Sequence, residues 1–231
     1  MNKQNDNTSM VFANLSTIEK MEKEMNKGTF LFREGDTADG IYLIHSGKVR
    51  IGKNTPDGRE LTFRICGAGD FISEVMLFCN FSIYNVHAKV LEDGTYSKIK
   101  KEDLEEKLLL NPTLNIEVMK QMSIDQQKSQ SKFRDLILHG KKGALYSTLI
   151  RMTNSYGIQQ SDGILIDIAF TNQELANFCG MSREVVNRLL SSLKKDGKIS
   201  IIDGKILIHD LQALKDEIHC ENCPIEICNI E

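Results

Sequence analysis

A run of local signals between residues 171 and 208 constrains the fold more than any other part of the chain. Thr171 and Glu174 have the spacing of a capping box, in which hydroxyl and carboxylate satisfy free backbone N–H groups at a helix start. This box predicts a short helix over Asn172–Phe178. Gly180 follows where a left-handed turn would end that helix, because glycine adopts positive φ without steric cost.

A second helix and a hairpin complete the pattern. Ser182 is suited to the N-cap of a helix over Arg183–Lys195. The dipeptide Asp203-Gly204, typical of two-residue β-hairpin turns, is then flanked by two predicted strands, Ile199–Ile202 and Lys205–Ile208. Helix, tight turn, helix and hairpin together predict a winged helix-turn-helix, with Thr171 and Ser182 at the helix starts as candidate contacts to DNA.

The two faces of the second helix differ in chemistry. Arg183, Glu184, Asn187 and Arg188 occupy its first half and are predicted to point outward. In this motif that half enters the major groove of double-stranded DNA, where arginine pairs with guanine and glutamate accepts from cytosine. An ordinary amphipathic surface helix is the alternative. The residues predicted to pack inward are Val185, Val186, Leu189, Leu190 and Leu193.

The N-terminal half has a β pattern. From about residue 28 to 98, short β-prone runs alternate with glycine-containing turns, which predicts a barrel, roll or sandwich. The predicted strands are Phe30–Phe32, Ile41–Ile44, Lys48–Ile51, Glu60–Ile65 and Val86–Leu91. The predicted turns are Gly35-Asp36, Ser46-Gly47, Pro56-Asp57-Gly58, Gly67–Asp70 and Asp93-Gly94.

Helices follow the β region. A short helix is predicted over Glu102–Leu110 and a long one over about Pro112–Ile137. The two are separate because the residue before a proline disfavours helical backbone angles. The long helix carries a partial apolar stripe, which indicates either a dimer seam or packing against the β domain. The stripe comprises Leu114, Val118, Met122, Phe133, Leu136 and Ile137. A further helix, Ala144–Ser155, and a strand, Ile164–Ile168, lead into the helix-turn-helix.

Composition narrows the class of protein. The chain has 231 residues, 41% of them hydrophobic, which suffices for two packed domains. No stretch approaches the ~20 apolar residues of a membrane span, and Met1–Met10 is too polar for a signal peptide. We therefore expect a cytoplasmic protein without a membrane partner. The net charge of −3 gives no sign of DNA binding, although DNA contacts depend on local charge.

Three of the 6 cysteines crowd into the C-terminal tail. Cys220, Cys223 and Cys228 have the spacing C-x₂-C-x₄-C, which in a cytoplasmic protein indicates metal or redox chemistry. The residues leave three possibilities open: an iron–sulfur centre, structural zinc completed by His219, and metal-free redox thiols. The other cysteines, Cys66, Cys79 and Cys179, are expected to be buried small hydrophobes.

An enzyme is not expected. The C-x₂-C pair of the tail lacks the strand–helix setting of thiol oxidoreductases. No convergent arrangement of acid, base and nucleophile is evident elsewhere in the sequence. We therefore predict that the chain binds and regulates but does not catalyse a reaction.

With the helix-turn-helix, several N-terminal motifs complete a family resemblance. Over roughly residues 12–215 the chain resembles the CRP/FNR superfamily of transcription regulators. The N-terminal motifs are Arg33–Asp36, Asp39–Ile44, Gly47-Lys48-Val49 and Gly69–Ile72. The resemblance implies an α+β fold with a cyclic-nucleotide-binding-like β-roll, a dimerisation helix and a winged helix-turn-helix. The expected domains are a sensor over residues 1–110, the dimerisation helix over 111–139, the DNA-binding domain over 140–215 and a cluster-binding tail over 216–231.

The resemblance also implies partners. Members of the superfamily act as homodimers and recruit RNA polymerase. Those that read TGTGA half-sites carry Arg-Glu-x-x-x-Arg in the recognition helix, which Arg183, Glu184 and Arg188 match. Asn187 departs from the usual glycine or serine, which puts the discrimination beside Arg188 in doubt.

A cyclic nucleotide is not expected as the signal. Ser73-Glu74 stands where nucleotide-binding relatives have Gly-Glu, and Ser82–Val86 lacks the arginine that holds the phosphate there. An unpaired phosphate in a half-closed pocket would be costly. The signal is therefore predicted to act elsewhere in the chain.

The tail resembles that of Bacillus-type FNR proteins, whose C-terminal cysteines hold a [4Fe–4S] cluster. That resemblance implies Cys220, Cys223 and Cys228 as ligands, and Asp135 as the fourth. The rivals for the fourth ligand are Cys66, Cys79, Cys179, Asp125, His139 and His219. The implied function is an oxygen-responsive anaerobic activator; the alternative is a small-ligand-responsive regulator whose tail holds zinc or redox thiols.

Overall fold

A computed structural model describes residues 15, 21–80 and 82–230 of the chain. They divide into two compact units, one formed largely by residues up to Ser123 and the other by Ile124–Ile230. The other residues of the N-terminal stretch, including the polar run Met1–Met10 and the predicted start of the sensor domain, lie outside the described residues.

The first unit is built on an antiparallel sheet. The strands β1, β6, β3 and β4 lie side by side in that order, β2 pairs with β6, and β5 pairs with β3. Their bounds are β1 Glu22–Met25, β2 Phe30–Phe32, β3 Gly40–Asn54, β4 Glu60–Cys66, β5 Phe71–Ile72 and β6 His87–Lys100. The arrangement confirms the β-roll, although β1 and β5 carried too little local signal to be predicted as strands.

Two predicted turns were wrong. Ser46-Gly47 lies inside β3 and Asp93-Gly94 lies inside β6, and these two long strands pair along their length with irregular register near Ser46. A Cβ on Gly94 would lie 2.1 Å from the backbone oxygen of Ser46. The glycines therefore allow close approach at a β-bulge, which bends a strand without ending it.

Helix α1, Lys101–Leu110, follows the last strand, and α2, Pro112–Tyr156, begins after one intervening residue. Leu104 and Leu108 of α1 join the buried core of the roll. Leu114 and Val118 of α2 join it as well. The first turns of the long helix therefore pack on the β domain, as one of the two interpretations of its apolar stripe expected.

The helical segment α2 is interrupted once along its length. Gly140 has φ 58° and ψ −151°, which are not helical angles. The chain turns there, so that residues before and after Gly140 contact each other: Asp135 accepts a hydrogen bond from Ser147. The two separate helices predicted over Pro112–Ile137 and Ala144–Ser155 correspond to the two sides of this break.

The second unit contains the helix-turn-helix and a small sheet. The strands lie in the order β7, β8, β10, β9, all antiparallel. The bounds are β7 Gly157–Gln160, β8 Gly163–Ile166, α3 Asn172–Cys179, α4 Arg183–Lys195, β9 Ile199–Ile202, β10 Lys205–Ile208 and α5 Leu211–Glu217. Asp203 and Gly204 have φ 49° and 78°, the positive values that a type I′ hairpin turn requires. The predicted winged helix-turn-helix is confirmed.

Within the described ranges, no helix combines the length and apolar character needed to cross a membrane.

Candidate nucleic-acid interface and thiol cluster

The first helix of the motif is fixed by its cap. The hydroxyl of Thr171 accepts from the backbone N–H of Glu174 at 3.2 Å, and the Glu174 carboxylate accepts from the backbone N–H of Thr171 at 2.7 Å. Gly180 then adopts φ 61° and ψ 33° at the C-terminal end of α3. Both local predictions, the capping box and the left-handed turn, are confirmed.

Helix α4 presents one apolar and one polar face. Val186, Leu190 and Leu193 are buried in the core of the second unit. The four residues predicted to face outward, Arg183, Glu184, Asn187 and Arg188, are all exposed. The faces are therefore divided as the sequence predicted, with two cations, one anion and one amide available on the first half of the helix.

The start of α4 differs in detail from the prediction. Ser182 occupies the N-cap position with extended backbone angles, but its side chain makes no capping hydrogen bond. The pKa of Glu184 is lowered by its own backbone N–H, by a hydrogen bond with the side chain of Ser182 and by the charge of Arg183. The charged, hydrogen-bond-accepting form of the exposed Glu184 carboxylate is therefore favoured mainly by the free backbone N–H at the start of the helix.

A side-chain contact links the two helices of the motif. The side-chain amide of Asn172 donates to Oδ1 of Asn187 at 3.2 Å. The Oδ1 of Asn187 thereby accepts one hydrogen bond and has a second lone pair, and its Nδ2 can donate to another acceptor. Asn187 is the residue that departs from the glycine or serine of the relatives, so this contact orients the side chain that lies beside Arg188.

The cysteine tail packs against the same domain. Cys228 is buried, while Cys220 and Cys223 are half-buried and pack against the domain core. Burial raises the pKa of the Cys228 thiol; the charge of Arg151 opposes this rise, and the smaller effects of Cys220, Cys223 and Asp135 add to it. Hydrogen bonds place the tail beside Asp135, because Arg134 pairs with both Asp135 and Glu221, and Arg151 contacts both Asp135 and the Ile227 carbonyl.

Asp135 lies at the centre of a hydrogen-bond network. Its side chain is 5% exposed. Its Oδ1 accepts from Nε and Nη2 of Arg134 at 3.0 and 2.8 Å. Its Oδ2 accepts from Ser147 Oγ at 2.5 Å and from Nη2 of Arg151 at 3.3 Å. Both carboxylate oxygens are therefore engaged.

Arg134 connects this carboxylate to the tail. It pairs with Glu221 as well as with Asp135. Burial lowers its pKa, but hydrogen bonds and charges from Asp135, Cys223 and Glu221 outweigh that effect and raise it. A cavity of about 400 Å³ opens beside it, with Gln127, Gln130, Ser131, Arg134, Glu221, Cys223, Pro224 and Ile227 as its lining.

The region around Asp135 and the tail cysteines contains metal-binding side chains, but they are not arranged as ligands of one metal ion. Throughout the part of the chain that the structure describes, no three or more His, Cys, Asp or Glu side chains are set to hold one metal ion. The donor chemistry nevertheless fits an iron–sulfur cluster, whose usual ligands are thiolates. The guanidinium of Arg151, which donates to the carbonyl of Ile227 at 2.8 Å, supplies positive charge beside the adjacent Cys228.

The rival ligands lie in different surroundings. His139 and His219 have ring centroids 5.9 Å apart. Cys179 is buried, and burial raises the pKa of its thiol to about 12. Its Sγ donates to Thr148 Oγ1 at 3.4 Å, as expected of a core cysteine. Cys66 is buried as predicted.

Cys79 was wrongly predicted to be buried. It is exposed, since it lies in the loop between β5 and β6 and not within a strand of the core. The apolar neighbours Leu77 and Phe78 suggested a core position, but Phe78 is itself exposed. Local apolar composition therefore misled the interpretation of a loop.

The segment at the nucleotide position of the roll is internally paired. Glu74 accepts from Nη2 of Arg64 at 3.0 Å. Ser82 accepts from the backbone N–H of Met76 at 3.1 Å, and Tyr84 donates from within the core to the Gly40 carbonyl at 2.8 Å. Glu74, which stands at the ribose-contacting position of nucleotide-binding relatives, is thus paired within the roll, and the absence of a cyclic nucleotide stays a prediction.

Sequence reasoning missed the buried Arg151. Its side chain is 3% exposed and contacts both Asp135 and the tail. The signal that could have revealed it is a lone cation inside the apolar run Leu149-Ile150-Arg151-Met152, because a fully buried arginine is rare unless it is paired.

Comparison with known proteins agrees with this geometry. Residues 22–111 match the family model of the cyclic nucleotide-binding domain, and residues 144–217 match that of the Crp-like helix-turn-helix domain. The anaerobic regulatory protein of Bacillus subtilis (strain 168) is 56% identical over 218 residues, 94% of this chain and 90% of that protein. A CRP-like cAMP-activated global transcriptional regulator of Mycobacterium tuberculosis (strain H37Rv) is 26% identical over 81% of this chain and 84% of that protein.

Solved structures share the fold. A CooA mutant from Carboxydothermus hydrogenoformans superposes with a TM-score of 0.76 and 21% identity, covering 89% of this chain and 90% of the other. The regulator CLP of Xanthomonas campestris gives a TM-score of 0.73 at 22% identity, covering 87% of this chain and 99% of the other. Both likenesses concern the architecture of β-roll, long helix and winged domain.

Proposed function

Because the chain belongs to the CRP/FNR family of transcription regulators, we propose that it is an oxygen-responsive activator controlled by a [4Fe–4S] cluster. The observation that carries the proposal is that Arg134 and Arg151 link Asp135 to Glu221 and Ile227, the sequence neighbours of Cys220 and Cys228, in the same unit as the helix-turn-helix. The name of its Bacillus subtilis relative, an anaerobic regulatory protein, is consistent with such a signal.

The proposed DNA target is a palindrome of TGTGA-like half-sites. Arg183 and Arg188 are exposed on the first half of α4, where a guanidinium can donate two hydrogen bonds to guanine O6 and N7. Glu184 keeps its charge and can accept from a cytosine amino group. A homodimer would place two such helices on the two half-sites, and we expect it to recruit RNA polymerase in the cytoplasm.

The proposed cluster ligands are Cys220, Cys223 and Cys228 of the tail, with Asp135 as the fourth. When bound, such a cluster supplies a centre that oxygen destroys. Asp135 belongs to the helix before the Gly140 break, whereas the cysteines follow the winged domain. A cluster bound by both Asp135 and the tail cysteines would therefore connect this helix to the tail. Loss of the cluster would remove that connection and favour a second arrangement of the DNA-binding domain.

Hydrogen bonds within the chain hold the tail against helix α2. Asn154 donates to the Cys228 carbonyl at 2.6 Å, and Ser155 accepts from the backbone N–H of Ile230 at 3.1 Å. These bonds hold the end of the tail on the helix that supports α3 and α4. A change in the tail can therefore reach the DNA-binding helices through packed structure.

Anaerobic purification and DNA binding test the proposal. We expect about four iron atoms and four acid-labile sulfides per chain. Fluorescence anisotropy with a TGTGA-type palindrome should show tight binding that weakens about 5- to 150-fold after exposure to air, the usual range of such coupling. Absence of iron, or equal DNA affinity before and after air, would refute the cluster mechanism, and zinc in place of iron would support the alternative regulator.

Cysteine variants provide a matched pair. Cys223→Ser removes a proposed ligand and should abolish the iron content. Cys79→Ser changes the exposed cysteine of the first unit and should leave the iron content at the parent value. In the same assay Asp135→Ala should lower iron content or the lifetime of the cluster in air, and an unchanged cluster would point to another fourth ligand.

A further inference from the structure

Arg151 is a buried cation with four hydrogen-bond partners. Its Nε donates to Ser147 Oγ at 3.2 Å, and its Nη1 donates to the Ile227 carbonyl at 2.8 Å. Its Nη2 donates to Ser131 Oγ at 2.8 Å and to Asp135 Oδ2 at 3.3 Å. One side chain therefore contacts the helix before the Gly140 break, the helix after it, and the tail.

The planar geometry of the guanidinium makes these simultaneous contacts possible. Its N–H groups point outward in a fixed fork, so that one arginine can bridge partners on several sides. Burial of a charge is costly unless the charge is paired and hydrogen-bonded. Here Asp135 supplies the counter-charge, and each of the three guanidinium nitrogens donates at least one hydrogen bond.

The partners of Arg151 lie next to proposed cluster ligands. Asp135 is itself the proposed fourth ligand, and Ile227 immediately precedes Cys228. Asn154, less than one turn beyond Arg151, holds the carbonyl of Cys228. The contacts of this one helix face therefore fix both the carboxylate and the most buried thiol of the cluster.

We infer that Arg151 is a positioning residue that sets Asp135 and the Cys228 segment at a fixed separation. This inference rests on the proposed function, because Asp135 and Cys228 matter as a pair only as ligands of one centre. Arg151 acts on the carboxylate through Oδ2, whereas Oδ1 is held by the partly exposed Arg134. The buried arginine thus helps to fix the carboxylate through Oδ2 while its other contacts hold the tail.

Hydrogen–deuterium exchange of the full-length, cluster-free protein tests the inference. In Arg151→Gln we expect the backbone amides of residues 218–230 to exchange about tenfold faster or more, because a buried charged hydrogen-bond network is lost. Lys142→Gln removes the same charge from an exposed ion pair with Glu217 and should leave this exchange unchanged. After anaerobic reconstitution with iron and sulfide, Arg151→Gln should retain less than half of the parent's iron.

Arg151→Lys separates positioning from charge. Lysine keeps the positive charge beside Asp135, but its three N–H donors lie on one nitrogen and cannot reach all four partners of the guanidinium. We expect a folded variant with a loosened tail and a low iron content. Parent-like tail exchange in this variant would overturn the inference, and so would failure of the lysine variant to fold, because a positioning residue is not needed for the fold itself.

The two proposals fail in different ways. If the parent protein takes up no iron, the proposed function fails, and the exchange data still decide whether Arg151 fixes the tail. If the parent binds a cluster and Arg151→Lys binds it equally well, the proposed function stands and the role of Arg151 is refuted.

Discussion

The exposed residues of helix α4 allow a test base by base. Arg183 lies at the first position of the helix and is exposed. If it pairs with guanine, Arg183→Ala should reduce discrimination at that base by about 1–3 kcal/mol. Competition binding with operators changed one base pair at a time would measure this loss.

The same assay distinguishes a base contact from a phosphate contact. Lys195, exposed in the last turn of α4, is the matched control. Lys195→Ala should weaken binding to all sequences about equally and reduce the salt dependence, as expected for a phosphate contact. An Arg183→Ala protein that behaves like Lys195→Ala would contradict the assignment of Arg183 to guanine.

At the scale of elements, the two helix starts of the motif make a matched pair. Thr171 accepts a capping hydrogen bond, whereas Ser182 occupies the same position without one. Thr171→Ala should therefore lower the free energy of unfolding by about 1 kcal/mol. Ser182→Ala should change it far less, and urea unfolding would compare them. Equal losses would mean that the cap of Thr171 does not contribute as its geometry suggests.

Elements whose sequence signals are local were predicted more accurately than elements that depend on tertiary pairing. The bounds of α4, β9 and β10 agree with the sequence prediction because caps, turn residues and periodicity are all local there. The dipeptides Ser46-Gly47 and Asp93-Gly94 also look like local turns. They instead face each other across two long strands, which only tertiary pairing reveals.

At the scale of the whole molecule, the candidate thiol cluster is only partly predictable. The spacing of the tail cysteines is visible in the sequence. Their proximity to Asp135, about ninety positions earlier, was indicated only by the family resemblance. Arg151 was missed because its partners Ser131 and Ile227 are distant in sequence and meet only after the chain turns at Gly140. Fixed spacing predicts ligand types, whereas the groups that orient them depend on packing.

Apolar side chains left exposed along helix α2 bear on the assembly. They include Ile116, Met119, Met122, Phe133 and Ile137. Such exposure along one helix is typical of a surface that another chain covers. In the proposed homodimer the second copy supplies that cover, because a palindromic operator requires two equivalent recognition helices.

Met119→Glu tests this assembly. Met119 is 60% exposed, so that glutamate is tolerated in a free chain but would bury a charge in a dimer seam. Light scattering should show a shift from dimer to monomer, and affinity for the palindrome should fall because two half-sites are no longer bound together. Gln121→Glu makes the same charge change about 200° around the helix and should stay dimeric. A dimeric Met119→Glu protein with parent-like affinity would exclude this part of α2 from the seam.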